Sequence, residues 1–225
     1  MPKFSMADFI IALQFLTRIK ITRQGEWSPE GCGRSVKYFP LIGVIIGSIL
    51  VLINYLLDSG LPLLGGVYIP RPVIAVILVG TSVAITGGLH CDGFMDTMDG
   101  LFSGRSPAES LAIMKDSRVG ANGVTAFVLL IIAKWSIIAG LPAAILSQAL
   151  FVMPVVGRLA MVIGITGFPY ARPEGIGKPF AQYAGRGTLL IALVITTGLL
   201  LPAGILSLIC IAVSGGATLL FGRYV

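Results

Sequence analysis

Residues 72–100 read PVIAVILVGTSVAITGGLHCDGFMDTMDG. The first part, Pro72–Leu89, carries no charged side chain and is apolar nearly throughout. It is about the length a helix needs to cross the ~30 Å hydrocarbon core of a bilayer. The second part holds Asp92, Asp96 and Asp99. Carboxylates are costly inside lipid, and an uncharged apolar run of this length is out of place in water. The junction near His90 therefore marks a chain leaving a membrane.

Working outward, the same alternation recurs. Hydrophobic residues make up 56% of the 225 residues and charged ones 12%, with a mean hydropathy of +0.94. Soluble domains carry about twice that charge. Spans are expected at Tyr38–Leu57, Pro72–Leu89, Ala121–Gly140, Ala143–Ile165, Thr188–Leu201 and Gly204–Phe221. The run Phe4–Ile19 is too short to cross and reads as an interfacial helix. The fold class is all-α: a polytopic membrane helical bundle of about six transmembrane helices with a short N-terminal interfacial helix. Residues 1–225 read as a single integral membrane domain with no linker. Pairs such as Gly43-x3-Gly47 suit close helix packing in lipid. Met1–Ile21 has no small-residue cleavage site and does not read as a signal peptide. Cys32, Cys91 and Cys210 form neither a disulfide framework nor a CxxC pattern.

Net charge is +6, and its distribution gives orientation. Lys3, Arg18, Lys20, Arg23, Arg34 and Lys37 precede the first span, in a polar stretch that also holds Glu26 and Glu30. Arg105, Lys115 and Arg118 lie between the second and third. Arg172, Lys178 and Arg186 lie between the fourth and fifth, and Arg223 follows the sixth. Only Arg71 falls on the other side. Basic loops stay in the cytoplasm, so both termini and every loop rich in functional side chains face the cytoplasm. No base-stacking module or basic repeat is present, which argues against nucleic acid as a partner; oligomer formation is left open.

The aspartates carry the chemistry. At i, i+4 and i+7, Asp92, Asp96 and Asp99 fall within a helical sector of about 60°. Carboxylates so grouped repel unless a cation neutralises them. A hard divalent ion such as Mg²⁺, arriving with a phosphate substrate, fits best. Downstream, Lys115-Asp116-Ser117-Arg118 offers Asp116 as a further metal ligand. Lys115 and Arg118 suit phosphate oxygens, or simply obey the positive-inside rule. Acidic ligands followed by basic residues are what phosphoryl transfer requires. His90, the only histidine, is available as general base, metal ligand or cap of the span. A zinc site with Cys91 is excluded by the lack of further ligands. Arg158, inside the fourth span, either pairs with phosphate or aspartate or reaches toward the interface. Lys134 presents the same choice beside Trp135. In the loop 169–178, Arg172 and Lys178 suit an anionic substrate, although a plain hairpin is the alternative.

These motifs together resemble the signature of the adenosylcobinamide-GDP ribazoletransferase, or cobalamin-5′-phosphate synthase, family. The resemblance rests on GGLHCDGFMDTMDG at 87–100, IMKDSRVGANGV at 113–124 and AKW at 133–135. It is supported by FLTRIKI at 15–21, KYFPLIGVIIG at 37–47 and PYARPEGIGKPF at 169–180. It implies a Mg²⁺-dependent enzyme of the bacterial inner membrane. There the ribose 3′-hydroxyl of α-ribazole, or of its 5′-phosphate, attacks adenosylcobinamide-GDP, and GMP leaves. The substrates come from the resemblance alone. The family pattern is expected to continue past the last span into a glycine-rich segment with a further acidic residue, whereas this sequence stops at Phe221-Gly222-Arg223-Tyr224-Val225.

Three other classes are weighed against it. A CDP-alcohol phosphotransferase would run the same chemistry, but its Asp-Gly is followed by Ala-Arg, and here Asp92-Gly93 is followed by Phe94-Met95-Asp96. A membrane prenyltransferase would normally show two aspartate motifs. A transporter would need polar groups along a span rather than grouped at its end.

Overall fold

The computed structural model describes residues 4–23 and 27–224, so Lys3, Glu26 and Val225 lie outside the described residues. The apolar runs fold as helices: α1 (Met6–Leu16), α2 (Pro29–Ser35), α3 (Phe39–Tyr55), α4 (Leu61–Gly65), α5 (Arg71–Thr86), α6 (Leu89–Leu101), α7 (Pro107–Ile113), α8 (Ala121–Gly140), α9 (Ala143–Gly167), α10 (Lys178–Tyr183), α11 (Arg186–Leu200) and α12 (Ile205–Tyr224). No strand occurs among the described residues. The chain is an all-α polytopic membrane bundle. Among the described residues, five helical stretches are long and apolar enough to cross a membrane, and six if the bent pair α5 and α6 counts as one.

Several expected loops are helical. The stretch read as a polar loop up to Lys37 contains α2. Its start is set by Ser28, whose Oγ accepts from the Gly31 amide at 3.1 Å, with Pro29 in the first turn. The expected span Pro72–Leu89 ends early. Gly87 and Gly88 take φ of 63° and 76°, a left-handed conformation open to glycine at little cost. There the chain bends by 90° between α5 and α6. At about 24 Å, α5 falls short of the hydrocarbon core by itself. The aspartates lie on the helix beyond the bend, not in an irregular loop. The segment between the fourth and fifth expected spans likewise contains α10.

The residues gather into two compact units, Met1–Val51 with Ser147–Val225, and Leu52–Leu146. In the first, Gly43 and Gly47 of α3 meet α9 backbone to backbone. A Cβ at Gly43 would stand 2.6 Å from the Pro154 carbonyl oxygen, and one at Gly47 2.8 Å from that of Phe151. The small-residue pair is thus a packing device. Around it Ile42, Ile46, Leu50, Leu150, Val155 and Leu159 are buried. α1 turns Asp8, Ala12, Leu13 and Leu16 inward, the one-face spacing of an amphipathic helix.

In the second unit, α8 packs on both α5 and α6. At one end of the α5–α8 pair, the Trp135 indole donates to the Pro72 carbonyl at 2.9 Å, and Arg71 Nη2 to that of Leu141 at 3.4 Å. The outer side of α8 leaves Val124, Val128, Leu129 and Ile132 exposed, a surface suited to lipid.

Candidate active site

The aspartate spacing is realised as drawn. Asp92, Asp96 and Asp99 all sit on α6, Asp92 exposed and the other two half-buried. Their environments differ. Both oxygens of Asp99 accept backbone amides, Oδ2 from Gly120 and Oδ1 from Gly123, each at 2.8 Å. These amides open α8, where the first turn leaves N–H groups without helical partners. Asp99 caps α8 from another helix and ties the start of α8 to α6. The two glycines are needed for it. A Cβ at Gly120 would strike the Asp99 carboxylate, and one at Gly123 would lie 2.5 Å from Oδ2. Asn122 adds a bond from its amide nitrogen to the Phe102 carbonyl at 3.2 Å.

That lock fixes one end of the loop carrying Lys115, Asp116 and Arg118. Its other end is held by α7, where Ser106 donates from N and Oγ to Glu109 at 3.0 and 2.8 Å. Those bonds, the hydroxyl's first, hold the Glu109 carboxyl below its ordinary value. Within the loop Asp116 is engaged. Arg118 grips it with Nη2 at 2.6 Å and Nε at 3.1 Å to each oxygen, and its backbone amide adds a bond at 3.0 Å. The guanidinium holds the Asp116 carboxyl down at about 2. Arg118 remains highly exposed, and Lys115 is exposed beside it. His90 stands in the first turn of α6, half-buried.

Among the described residues, no group of three His, Cys, Asp or Glu side chains is arranged to hold a metal ion. A ready-made protein cage is therefore not the arrangement. Mg²⁺ does not demand one, being commonly held by one or two carboxylates with phosphate oxygens and waters. Asp92 and Asp96, hard oxygen donors one turn apart, meet that lesser requirement. Asp99 and Asp116, also expected as ligands, already accept hydrogen bonds from amides and a guanidinium.

Arg158, Arg172 and Lys178 belong to the other unit. Arg158 Nε and Nη2 are buried and find no hydrogen-bond partner among the described residues. The aspartate pairing considered for it is not made. A buried guanidinium without an anion is costly, so its vacant donors suit an anionic ligand. Arg172 and Lys178 line a cleft of about 290 Å³ with Phe168, Tyr170 and Gln182. Lys178 donates to the Pro173 carbonyl, closing its own loop. Gly175, at φ 152°, leaves the room that Tyr170 fills.

The sequence pointed to FLTRIKI, KYFPLIG and PYARPEGIGKPF separately, and the structure joins them. Phe15 stacks on Phe180 with centroids 4.3 Å apart and lies 6.2 Å from Phe39. Trp27 meets Phe15 edge-on. Nearby, the Asp8 carboxylate, 2% exposed, holds Arg34 through two bonds of 3.0 and 3.1 Å. Neither the aromatic cluster nor this pair was anticipated. Asp8 in the middle of an apolar run was the one available signal, since a buried carboxylate needs a cation.

Comparison with known proteins agrees with these motifs. The family described as cobalamin-5-phosphate synthase matches residues 8–225. The adenosylcobinamide-GDP ribazoletransferase of Acetivibrio thermocellus is 35% identical over 177 residues, 78% of this chain and 68% of the relative. The protein of the same description from Desulfitobacterium hafniense is 38% identical over 200 residues, 84% and 76% respectively. That from Alkaliphilus metalliredigens is 40% identical over 191 residues, 85% and 73%. No solved structure matches.

Proposed function

The chain belongs to the cobalamin-5-phosphate synthase family of transferases, and from that premise we propose that it is a Mg²⁺-dependent phosphotransferase joining adenosylcobinamide-GDP to α-ribazole or its 5′-phosphate, with GMP as the leaving group. The new bond links the ribose 3′ oxygen to the phosphorus that carries the cobinamide. The bond from that phosphorus to the bridging oxygen of GMP breaks, and the hydroxyl proton passes to a base. The basic loops support the cytoplasmic face of a bacterial inner membrane as the setting for this work.

The observation that carries the reading is the division of labour on α6. Asp92 and Asp96 share a face with Asp99, and Asp99 fastens to that helix the segment following Lys115 and Arg118. Asp92 and Asp96 would hold the metal, which when bound supplies positive charge to the diphosphate oxygens. Lys115 and Arg118 bind phosphate oxygens and stabilise charge on the departing GMP. Asp116 keeps Arg118 oriented. His90, two residues before Asp92, takes the hydroxyl proton. Arg158, with its vacant donors, and Arg172 and Lys178 along their cleft hold anionic parts of the substrates.

The test is direct. The purified chain is given adenosylcobinamide-GDP, α-ribazole 5′-phosphate and Mg²⁺, and GMP release is followed. Turnover that requires Mg²⁺ and disappears in the Asp92→Ala, Asp96→Ala double variant supports the reading. No turnover by the parent, or turnover that survives the double substitution, ends it.

A further inference from the structure

The segment after α1 reads Thr17-Arg18-Ile19-Lys20-Ile21-Thr22-Arg23. Cationic and large apolar side chains alternate along it, and all from Arg18 to Arg23 are exposed. Ile19 is 36% and Ile21 60% exposed. In water, two bare isoleucines between three cations gain nothing. At the boundary between headgroups and acyl chains the same pattern is favourable: the isoleucines bury apolar area while the cations stay at headgroup level.

The segment is held in place. The Gln14 side-chain oxygen of α1 accepts from the Ile21 amide at 3.3 Å, the Thr22 amide at 3.0 Å and the Thr22 hydroxyl at 3.1 Å. Thr17 Oγ1 donates to the Leu13 carbonyl at 2.7 Å and accepts from the Ile19 amide at 3.1 Å. α1 is itself fastened to α2 through Asp8 and Arg34. So the exposed side chains are displayed from a backbone whose Ile19, Ile21 and Thr22 amides are bonded locally. A binding surface gains from such ordering because less conformational entropy is lost on binding.

We propose that residues 18–23 form a docking strip for the headgroups of anionic glycerophospholipids, with Arg18, Lys20 and Arg23 at the phosphates and Ile19 and Ile21 in the apolar boundary. The charge argues for this occupant. The strip carries three positive side chains and no carboxylate, and the basic loops face the cytoplasmic leaflet, where anionic lipids attract basic segments. The proposal is independent of the transfer reaction, since none of these residues is assigned to substrate.

The experiment uses the full chain purified in a non-ionic detergent. Phosphatidylglycerol or phosphatidylcholine is titrated in, and the shift in unfolding temperature gives an apparent affinity. Phosphatidylglycerol should raise the unfolding temperature well beyond phosphatidylcholine, with an effect that weakens as salt rises. The Arg18→Gln, Lys20→Gln, Arg23→Gln variant should bind phosphatidylglycerol on the order of 100-fold more weakly, about fivefold per charge. Its unfolding temperature in detergent alone should be unchanged. Arg18→Lys with Arg23→Lys should keep the response, and Ile19→Ser with Ile21→Ser should weaken it at constant charge. An equal response to phosphatidylcholine, an undiminished response in the neutralised variant, or displacement by millimolar inorganic phosphate would overturn the proposal; the last would reveal a site for free phosphate instead.

Discussion

The two regions proposed to bear the chemistry are held together by different forces. Around α6 the contacts are polar: Asp99 on two amides of α8, Glu109 on Ser106, Asp116 on Arg118. Few side chains there are fully buried. Around α10 and the residues that meet it, order comes from volume. Phe15, Phe39 and Phe180 stack, and Gly33 of α2 admits the backbone of Tyr183 so closely that a Cβ would not fit. The first region should respond to changes of charge at nearly constant shape, the second to changes of shape at constant charge. The proposed phosphoryl transfer would suit this division, because a site that handles charge needs polar groups in fixed positions.

The largest expected effect is on turnover. Replacing both Asp92 and Asp96 with Asn keeps their size and removes two negative charges. We expect GMP release to fall by at least ~10³-fold, the scale of losing transition-state electrostatics, with a smaller fall in unfolding temperature than a core truncation gives. A fall in unfolding temperature comparable with that of a core variant would break the comparison, since these side chains would then be structural.

Next comes Phe180, 2% exposed and central to the stack. Phe180→Ala should destabilise the chain by about 3–5 kcal/mol, and Phe180→Leu by much less, because the loss follows the cavity left behind. Thermal unfolding in detergent checks both. An equal effect of the two would mean that ring stacking, not volume, holds this region.

Asp99 distinguishes a structural carboxylate from a metal ligand. Asp99→Ala leaves the Gly120 and Gly123 amides without their partner, at a cost of about 1–3 kcal/mol. Asp99→Asn retains one accepting oxygen and should lose roughly half as much. Unfolding measured without Mg²⁺ shows this loss if Asp99 is the cap described above. Were the parent and Asp99→Ala equally stable without Mg²⁺, the cap would carry no weight and the residue would belong with Asp92 and Asp96.

Much of the first region was legible beforehand. Asp92, Asp96 and Asp99 at helical offsets, after an uncharged run and on the basic side of the membrane, announce their helix by periodicity alone. What periodicity does not convey is which carboxylate caps another helix. Asp99 differs from Asp92 only through Gly120 and Gly123, more than twenty positions away, and long-range pairing leaves no local trace. The bend at Gly87-Gly88 was written in the sequence as a glycine pair, but apolar residues continue through it and favour a straight reading. The second region was hidden for a further reason. Phe15, Phe39 and Phe180 lie in three segments far apart in sequence, and each phenylalanine by itself reads as membrane filling. The packing of Gly43 and Gly47, by contrast, was correctly read from spacing, because two small residues one turn apart present one flat face whatever they meet.

The smallest expected effect sharpens the contrast through pH. The Glu109 carboxyl is held below its ordinary value of 4.5, chiefly by the Ser106 hydroxyl and then by its amide. A carboxyl depressed in the folded chain stabilises fully above its unfolded value, and the contribution is lost as pH falls through the folded one. The group is exposed, so the effect is confined to the start of α7. Amide exchange in residues 107–113 compared between parent and Glu109→Ala at matched pH isolates it, since intrinsic exchange rates cancel. The parent should be better protected at pH 7, and the gap should close as pH is lowered below 4.5. Residues 178–183, held by aromatic packing, should show no gap between the two proteins at any pH. A pH-dependent gap there would mean that the two regions share their polar support, and the distinction between a charge-held and a volume-held region would fail.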